Sequence, residues 1–206
     1  MPHASDIAAY LKNQDPILGC HINKSSPVKV VPDSETSLFQ ALVKSIIGQQ
    51  LSVKAAATIF GRVRDEFGIS GIITPEKMKN CSPEGLRACG VSGTKGRTLI
   101  STAEKISNGN IPQEHQMHTL SDADIMNALM QVKGIGRWTA EMILIFKLGR
   151  QDVMPVADLG VQKGYAIIFK LKARPLPKAI LQRSQLWKPY RSTATLHCWQ
   201  ALDTQT

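Results

Sequence analysis

Val132-Lys133-Gly134-Ile135-Gly136-Arg137-Trp138-Thr139-Ala140 sets two glycines one residue apart between two cations. Asp158 follows 22 residues after Gly136, in Pro155-Val156-Ala157-Asp158-Leu159-Gly160. Glycines in a tight turn permit positive φ and let another backbone come close. Amides at such a turn and at the start of the next helix point outward without internal partners and form an anion site. With Lys133 and Arg137 adding charge, a nucleic-acid phosphate suits it. A turn that only reverses a helical hairpin reads the same on Gly-Ile-Gly alone; each further match through Ala140 narrows the choice.

Asp158 stands after a proline at the head of an apolar-periodic run, where an N-cap Asp belongs, and capping alone accounts for it. The same place keeps a carboxylate ionised beside phosphates, because a helix N-terminus favours the charged form. Trp138 and Trp199 are core aromatics or, if they face one cavity, a stacking pocket best suited to a cationic nucleobase. Gln49-Gln50-Leu51-Ser52 is either a polar turn between helices or a tip that probes a minor groove and fills the gap left by an extruded base. Lys95 and Arg97, at a glycine-flanked helix start, are solvated charges or the holders of a second phosphate.

The elements that must position these residues are helical. Ser121 caps a helix whose first turn holds Asp122 and Asp124, with Leu120 and Ile125 as a hydrophobic staple and Ile125, Ala128, Leu129 and Val132 on one face. Past the glycines a second helix runs from Arg137 through Met142–Phe146, apolar nearly all round and hence buried. Phe39, Leu42, Val43, Ile46 and Ile47 make a stripe ending at Gly48. Ser52 then caps a helix whose expected buried face is Val53, Ala56, Phe60, Val63 and Phe67. Thr74-Pro75 and Ser82-Pro83 are helix starts, and Gly93 to Gly109 brackets another helix with Leu99, Ala103 and Ile106 inward. Met1 to Pro32 is weakly patterned, with one short helix around Ile7 to Leu11. A helix after Asp158 carries Val161, Tyr165 and Ile168, and a last one begins near Pro189. No alternating strand, repeat or low-complexity tract is present, so the fold is expected to be all-α.

A length of 206 residues suits one compact domain or two small lobes, and a formal charge of +9 favours a polyanionic partner. No run approaches the roughly 18 apolar residues of a membrane span, and no signal-peptide pattern is seen, so an intracellular protein is expected. Cys20, Cys81, Cys89 and Cys198 lack the paired spacing of a zinc or iron–sulfur site and read as reduced, mostly buried thiols. His115 and His118 read as solvated loop residues.

Gly134-Ile135-Gly136-Arg137-Trp138-Thr139-Ala140, with Pro155-Val156-Ala157-Asp158 at this spacing, resembles the helix-hairpin-helix DNA glycosylases, and most closely their alkylpurine branch. Ile46-Ile47-Gly48-Gln49-Gln50-Leu51-Ser52 is similar to that family's groove-probing loop. Trp187-Lys188-Pro189-Tyr190-Arg191-Ser192, with His197 and Trp199 after it, is similar to its last helix. The likeness runs from Glu35 to Leu202 and is to the compact form, without the N-terminal β-domain of some relatives.

The resemblance implies a single unit, 1–206, of two helical lobes with the active-site cleft between them. Residues 33–150 would form the lobe with the hairpin, and 1–32 plus 151–206 the other. Asp158 would be catalytic, and Trp138 and Trp199 would line the base pocket. Gln50, Leu51, Ser52, Lys95, Arg97, Lys133, Gly134, Gly136, Arg137 and Thr139 would bind DNA, with Gln50 or Leu51 as the wedge. No cofactor is implied beyond a monovalent cation on backbone carbonyls of the 132–137 hairpin. The partner would be double-stranded DNA with alkylated bases, bound by a monomer in a nucleoid or nucleus, with no membrane involved. Relatives that also cut the strand carry a lysine where Trp138 stands, so a monofunctional glycosylase is implied. A non-catalytic binder of damaged or abasic DNA with the same hairpin is the alternative. An iron–sulfur glycosylase does not fit, because the C-terminal region holds only Cys198.

Overall fold

The computed structural model describes residues 2–204; the expected lobe ends at residues 1, 205 and 206 lie outside them. In chain order the helices are α1 (Ala4–Gln14), α2 (Pro16–Ile22), α3 (Leu38–Gly48), α4 (Val53–Phe67), α5 (Pro75–Met78), α6 (Pro83–Ala88), α7 (Gly93–Ser107), α8 (Glu114–Met117), α9 (Asp122–Met130), α10 (Arg137–Met142), α11 (Leu159–Ile168), α12 (Pro177–Arg183) and α13 (Arg191–Asp203). A π-turn, Ile143–Lys147, continues α10, and a 3₁₀ turn, Ser184–Trp187, follows α12. Among the described residues no strand forms, and a single bridge joins Ile69 and Ile72. The all-α expectation holds.

Local chemistry sets most starts. Ser37, Ser52, Ser82, Ser92, Ser121, Thr74 and Asp158 each accept an amide three residues on, a cap worth about 1 kcal/mol. One buried face was misassigned: Val53 is 89% exposed, and in α4 only Val63 is fully buried. Val53 is the first residue of its helix, so the stripe extrapolated from Ala56 onward reaches it after the packing has ended. His115 sits in the single turn of α8 instead of a loop, and both it and His118 are exposed. All four cysteines are free, but only Cys89 and Cys198 are buried.

The chain divides into two compact units, Asp33–Leu148 and Met1–Pro32 with Gly149–Thr206. In the first, Leu42, Val43, Ile46, Leu99, Ile125 and Leu129 are buried core. Its π-turn leaves Phe146 half-exposed and buries Lys147. A buried ammonium needs partners. Lys147 Nζ lies 2.6 Å from Glu114 Oε1 and donates to Asp33 O at 2.5 Å.

The second unit is built from both ends of the chain around Leu11, Leu18, Val161, Ile180, Trp187 and Cys198. Asp15, fully buried, caps α2 through Ile17 N and Leu18 N. Arg183 donates to it twice, at 2.7 and 2.8 Å, and Trp187 Nε1 once at 3.0 Å. Burial pushes its carboxyl up, but the hydrogen bonds of Arg183, Trp187 and Leu18 outweigh this and hold it below the usual carboxylate range. Helices α11 and α13 pack closely because residue 164 is glycine: a Cβ there would overlap the Cys198 carbonyl.

Candidate functional site

In the unit 33–148, α9 and α10 are joined by the glycine hairpin. Gly134 has φ +101°, and Gly136 is the N-cap of α10 without a side-chain cap. The two glycines serve different ends. A Cβ on Gly134 would collide with Thr98 Oγ1, whereas a Cβ on Gly136 would meet nothing within 4 Å. Gly136 therefore opens the first amides of α10 to an incoming group, the geometry an anion needs. Gly134 instead lets α7 close on the turn, where Thr98 Oγ1 lies 3.1 Å from Lys133 O and equally 3.1 Å from Thr94 O of its own helix, one proton serving both.

Lys133, Arg97 and Arg137 are exposed around this unit's surface. Arg137 Nε donates to buried Glu141 at 2.9 Å while its side chain stays 67% exposed. Trp138 is half-buried in the first turn of α10. Two of the expected DNA-binding side chains have partners within the protein. Thr139 is buried, and its Oγ1 accepts Gln49 Nε2 at 2.9 Å. Lys95 Nζ donates to Ile47 O at 2.8 Å and Gln49 O at 2.6 Å, so it is committed to carbonyls at the end of α3 rather than presented to a phosphate. Burial lowers its pKa. Gln50 and Leu51 are exposed at the loop tip, and Ser52 caps α4.

Carbonyl oxygens suit a hard cation, and no cluster of three His, Cys, Asp or Glu able to hold a metal occurs among the described residues. In the hairpin Gly134 O already accepts Gln49 Nε2 and Lys133 O shares the Thr98 Oγ1 proton with Thr94 O, so each hairpin carbonyl keeps a lone pair to spare. An oxygen set without carboxylates fits a weakly held monovalent ion.

In the other unit Asp158 is both cap and carboxylate. Its Oδ1 accepts Val161 N at 2.7 Å and Trp199 Nε1 at 2.9 Å. Gly160 makes this possible, since a Cβ there would stand 2.9 Å from Trp199 Cδ1 and 3.1 Å from Asp158 Oδ1. Gly164, one turn on, lets α13 approach α11 closely enough to deliver the indole. A carboxylate held this way keeps a fixed plane and can stabilise a developing cation without reorganising. Sequence reasoning places Gln49 only at a groove-probing tip and gives no role to Thr98, Gly160 or Gly164. The Gly-x₃-Gly spacing of the last pair was a readable signal, and the other two contacts are tertiary.

Residues 43–189 match the model of the HhH-GPD superfamily base excision DNA repair protein. DNA-3-methyladenine glycosylase 1 of Schizosaccharomyces pombe is 38% identical over 79% of this chain and 71% of its own length. The putative DNA-3-methyladenine glycosylase YfjP of Bacillus subtilis is 32% identical over 81% of this chain and 60% of its own. The solved structure of the S. pombe 3-methyladenine DNA glycosylase in complex with abasic DNA superimposes with TM-score 0.86 and 33% identity, covering 94% of this chain and 95% of that one. With 71% of its length inside the family match and relatives above 30% identity, this chain belongs to the HhH-GPD superfamily of base excision DNA repair proteins.

Proposed function

We propose that this protein is a monofunctional DNA glycosylase that extrudes an alkylated purine from duplex DNA and hydrolyses its N-glycosidic bond. The observation that carries this reading is the Asp158 carboxylate, fixed through Oδ1 by Val161 N and Trp199 Nε1 at a helix start. N-alkylation makes the purine cationic, so the base leaves with the bonding pair as a neutral molecule and needs little acid catalysis. The sugar gains oxocarbenium character. Asp158 stabilises that charge and takes the proton of the water whose oxygen bonds to the sugar carbon, leaving an intact abasic site.

Trp138 and Trp199 are our candidates for the aromatic faces that receive the base, and such faces would favour a cationic ring. Gly136, Lys133, Arg137 and the α10 amides would grip the backbone, with Arg97 adding charge. A monovalent cation, if bound, would be held by 132–137 carbonyls and add positive charge toward a phosphate. Gln50 or Leu51 would fill the space of the extruded base. One copy would suffice, acting on the nucleoid or in a nucleus.

The test is base release from methylated duplex DNA. Wild type should release alkylpurines, and Asp158→Asn should bind abasic DNA but release none, since Asn still caps a helix. Borohydride should trap no covalent complex, because an indole at 138 cannot form a Schiff base. Binding of abasic DNA without any release by wild type would turn the reading to a non-catalytic binder.

A further inference from the structure

Gly48 to Leu51 form a turn closed by Leu51 N–H on Gly48 O at 3.2 Å. Gln49 has φ −52° and ψ 127°, and Gln50 has φ +57°. These dihedrals follow a type II turn, whose third residue is normally Gly or Asn because an L side chain is strained there. Residue 50 is neither. The turn is instead held from outside.

Two clamps do this, and both lead to the hairpin. Lys95 Nζ donates to Ile47 O and Gln49 O, the carbonyls that the end of α3 leaves without helical partners. Gln49 Nε2 donates to Gly134 O at 3.1 Å and Thr139 Oγ1 at 2.9 Å, one in the hairpin turn and one in the first turn of α10. Thr98, three residues after Lys95 and so on the same face of α7, sets its hydroxyl 3.1 Å from Lys133 O, sharing its proton with Thr94 O. One helix thus ties down the loop through Lys95 and the hairpin through Thr98, and Gln49 joins loop to hairpin directly.

We propose that Lys95 and Gln49 are positioning residues that lock the Gly48–Ser52 loop to the hairpin, so that the segment entering the groove and the segment gripping phosphate meet DNA as one rigid piece. The groove-entering role of the loop rests on the glycosylase reading above. With the clamps in place Gln50 and Leu51 are presented in one orientation. Without them the strained turn relaxes, and the tip no longer arrives in register with the backbone grip.

The test uses the full chain with Lys95→Met, Lys95→Arg and Gln49→Ala, each checked by thermal melting. Single-turnover release of 7-methylguanine is measured opposite cytosine and opposite a mismatched base. Lys95→Met and Gln49→Ala should lose about ten-fold or more on the paired lesion, as expected for removing hydrogen bonds that set geometry. The loss should shrink several-fold opposite the mismatch, because a base already unpaired needs less help leaving the stack. Lys95→Arg, which keeps a donor to both carbonyls, should recover most of the rate. Equal losses on both substrates, or none on either, overturn the proposal. Should Lys95→Met not fold, Gln49→Ala carries the same comparison. If wild type releases no base, the glycosylase reading fails and the clamps are judged by binding. The variants should then lose wild type's preference for abasic over intact duplex, and an unchanged preference overturns the proposal.

Discussion

The indole N–H of Trp199 donates to the same oxygen of Asp158, at 2.9 Å, that accepts the Val161 amide at 2.7 Å. A single carboxylate oxygen is therefore fixed by one donor from its own helix and one from α13. An aromatic ring that the sequence offers as core or as a stacking face also holds the carboxylate by its edge.

Trp199→Phe separates the two roles, since it keeps a ring face and removes the donor. A hydrogen bond to a charged group contributes about 1.5–3 kcal/mol, so single-turnover excision should slow roughly 10-fold or more. Binding to abasic DNA should change little. Excision by the Trp199→Phe variant at the wild-type rate would show that the indole serves only as a surface.

Gly164→Ala and Gly160→Ala should fail differently. Alanine gains up to about 1 kcal/mol of helix propensity, but at 164 its methyl overlaps the Cys198 carbonyl, backbone that cannot swing aside. Overpacking of this kind costs about 3 kcal/mol or more, read as a lower urea midpoint. At 160 the methyl presses on the Trp199 ring and on Asp158 Oδ1, so excision should fall more than stability does.

Gly136→Val should leave the fold intact, because a Cβ there meets no protein atom. Binding should weaken by similar factors on damaged and undamaged duplexes, since phosphate contacts position without specifying. Wild-type affinity, measured by fluorescence anisotropy, should fall steeply with salt as counterions are released. Unchanged binding by the valine variant would remove Gly136 from the interface.

Stability should decline on mild acidification. His197 is buried, and burial lowers its pKa to about 4, with His21 and Lys12 adding to the fall and the Gln200 hydrogen bond opposing it. Gln200 Nε2 is held by Ser26 O, so its Oε1 faces His197 Nδ1 and the neutral ring donates from that nitrogen. A folded pKa below the unfolded value of about 6.5 gives stability that is fully present above pH 6.5 and is lost as pH falls toward 4. The difference corresponds to about 3 kcal/mol. Urea midpoints between pH 7 and 4.5 should drop in wild type and drop less in a folded His197→Asn variant.

What could be read without coordinates was whatever is local. Ser52, Ser121 and Asp158 announce their helices because a cap and the following periodicity lie within a few residues of each other. Helices α2 and α12 have only seven residues each, too short for a period to stand out. At Asp158 capping and chemistry were alternatives on paper, and the structure has the capping oxygen also take the Trp199 N–H. The partners of Lys95 are illegible for the opposite reason. Its carbonyl acceptors are 46 and 48 residues away, and nothing in a glycine-flanked helix start distinguishes an inward lysine from an outward one. Gln49 and Thr98 belong to the same class, since their partners lie in another element.

The way Asp15 is satisfied also bears on the order in which the chain can fold as it is made. Residues 33–148 are contiguous, so that unit can complete its contacts while the ribosome is still adding the remainder. The other unit cannot. Asp15 emerges early, yet its Arg183 and Trp187 partners follow 168 and 172 residues later. Until then the N-terminal helices hold a carboxylate and apolar faces with nothing to cover them. The carboxylate that we assign to the chemistry gains its Trp199 donor only when α13 is complete, so the unit that carries it is the last to mature.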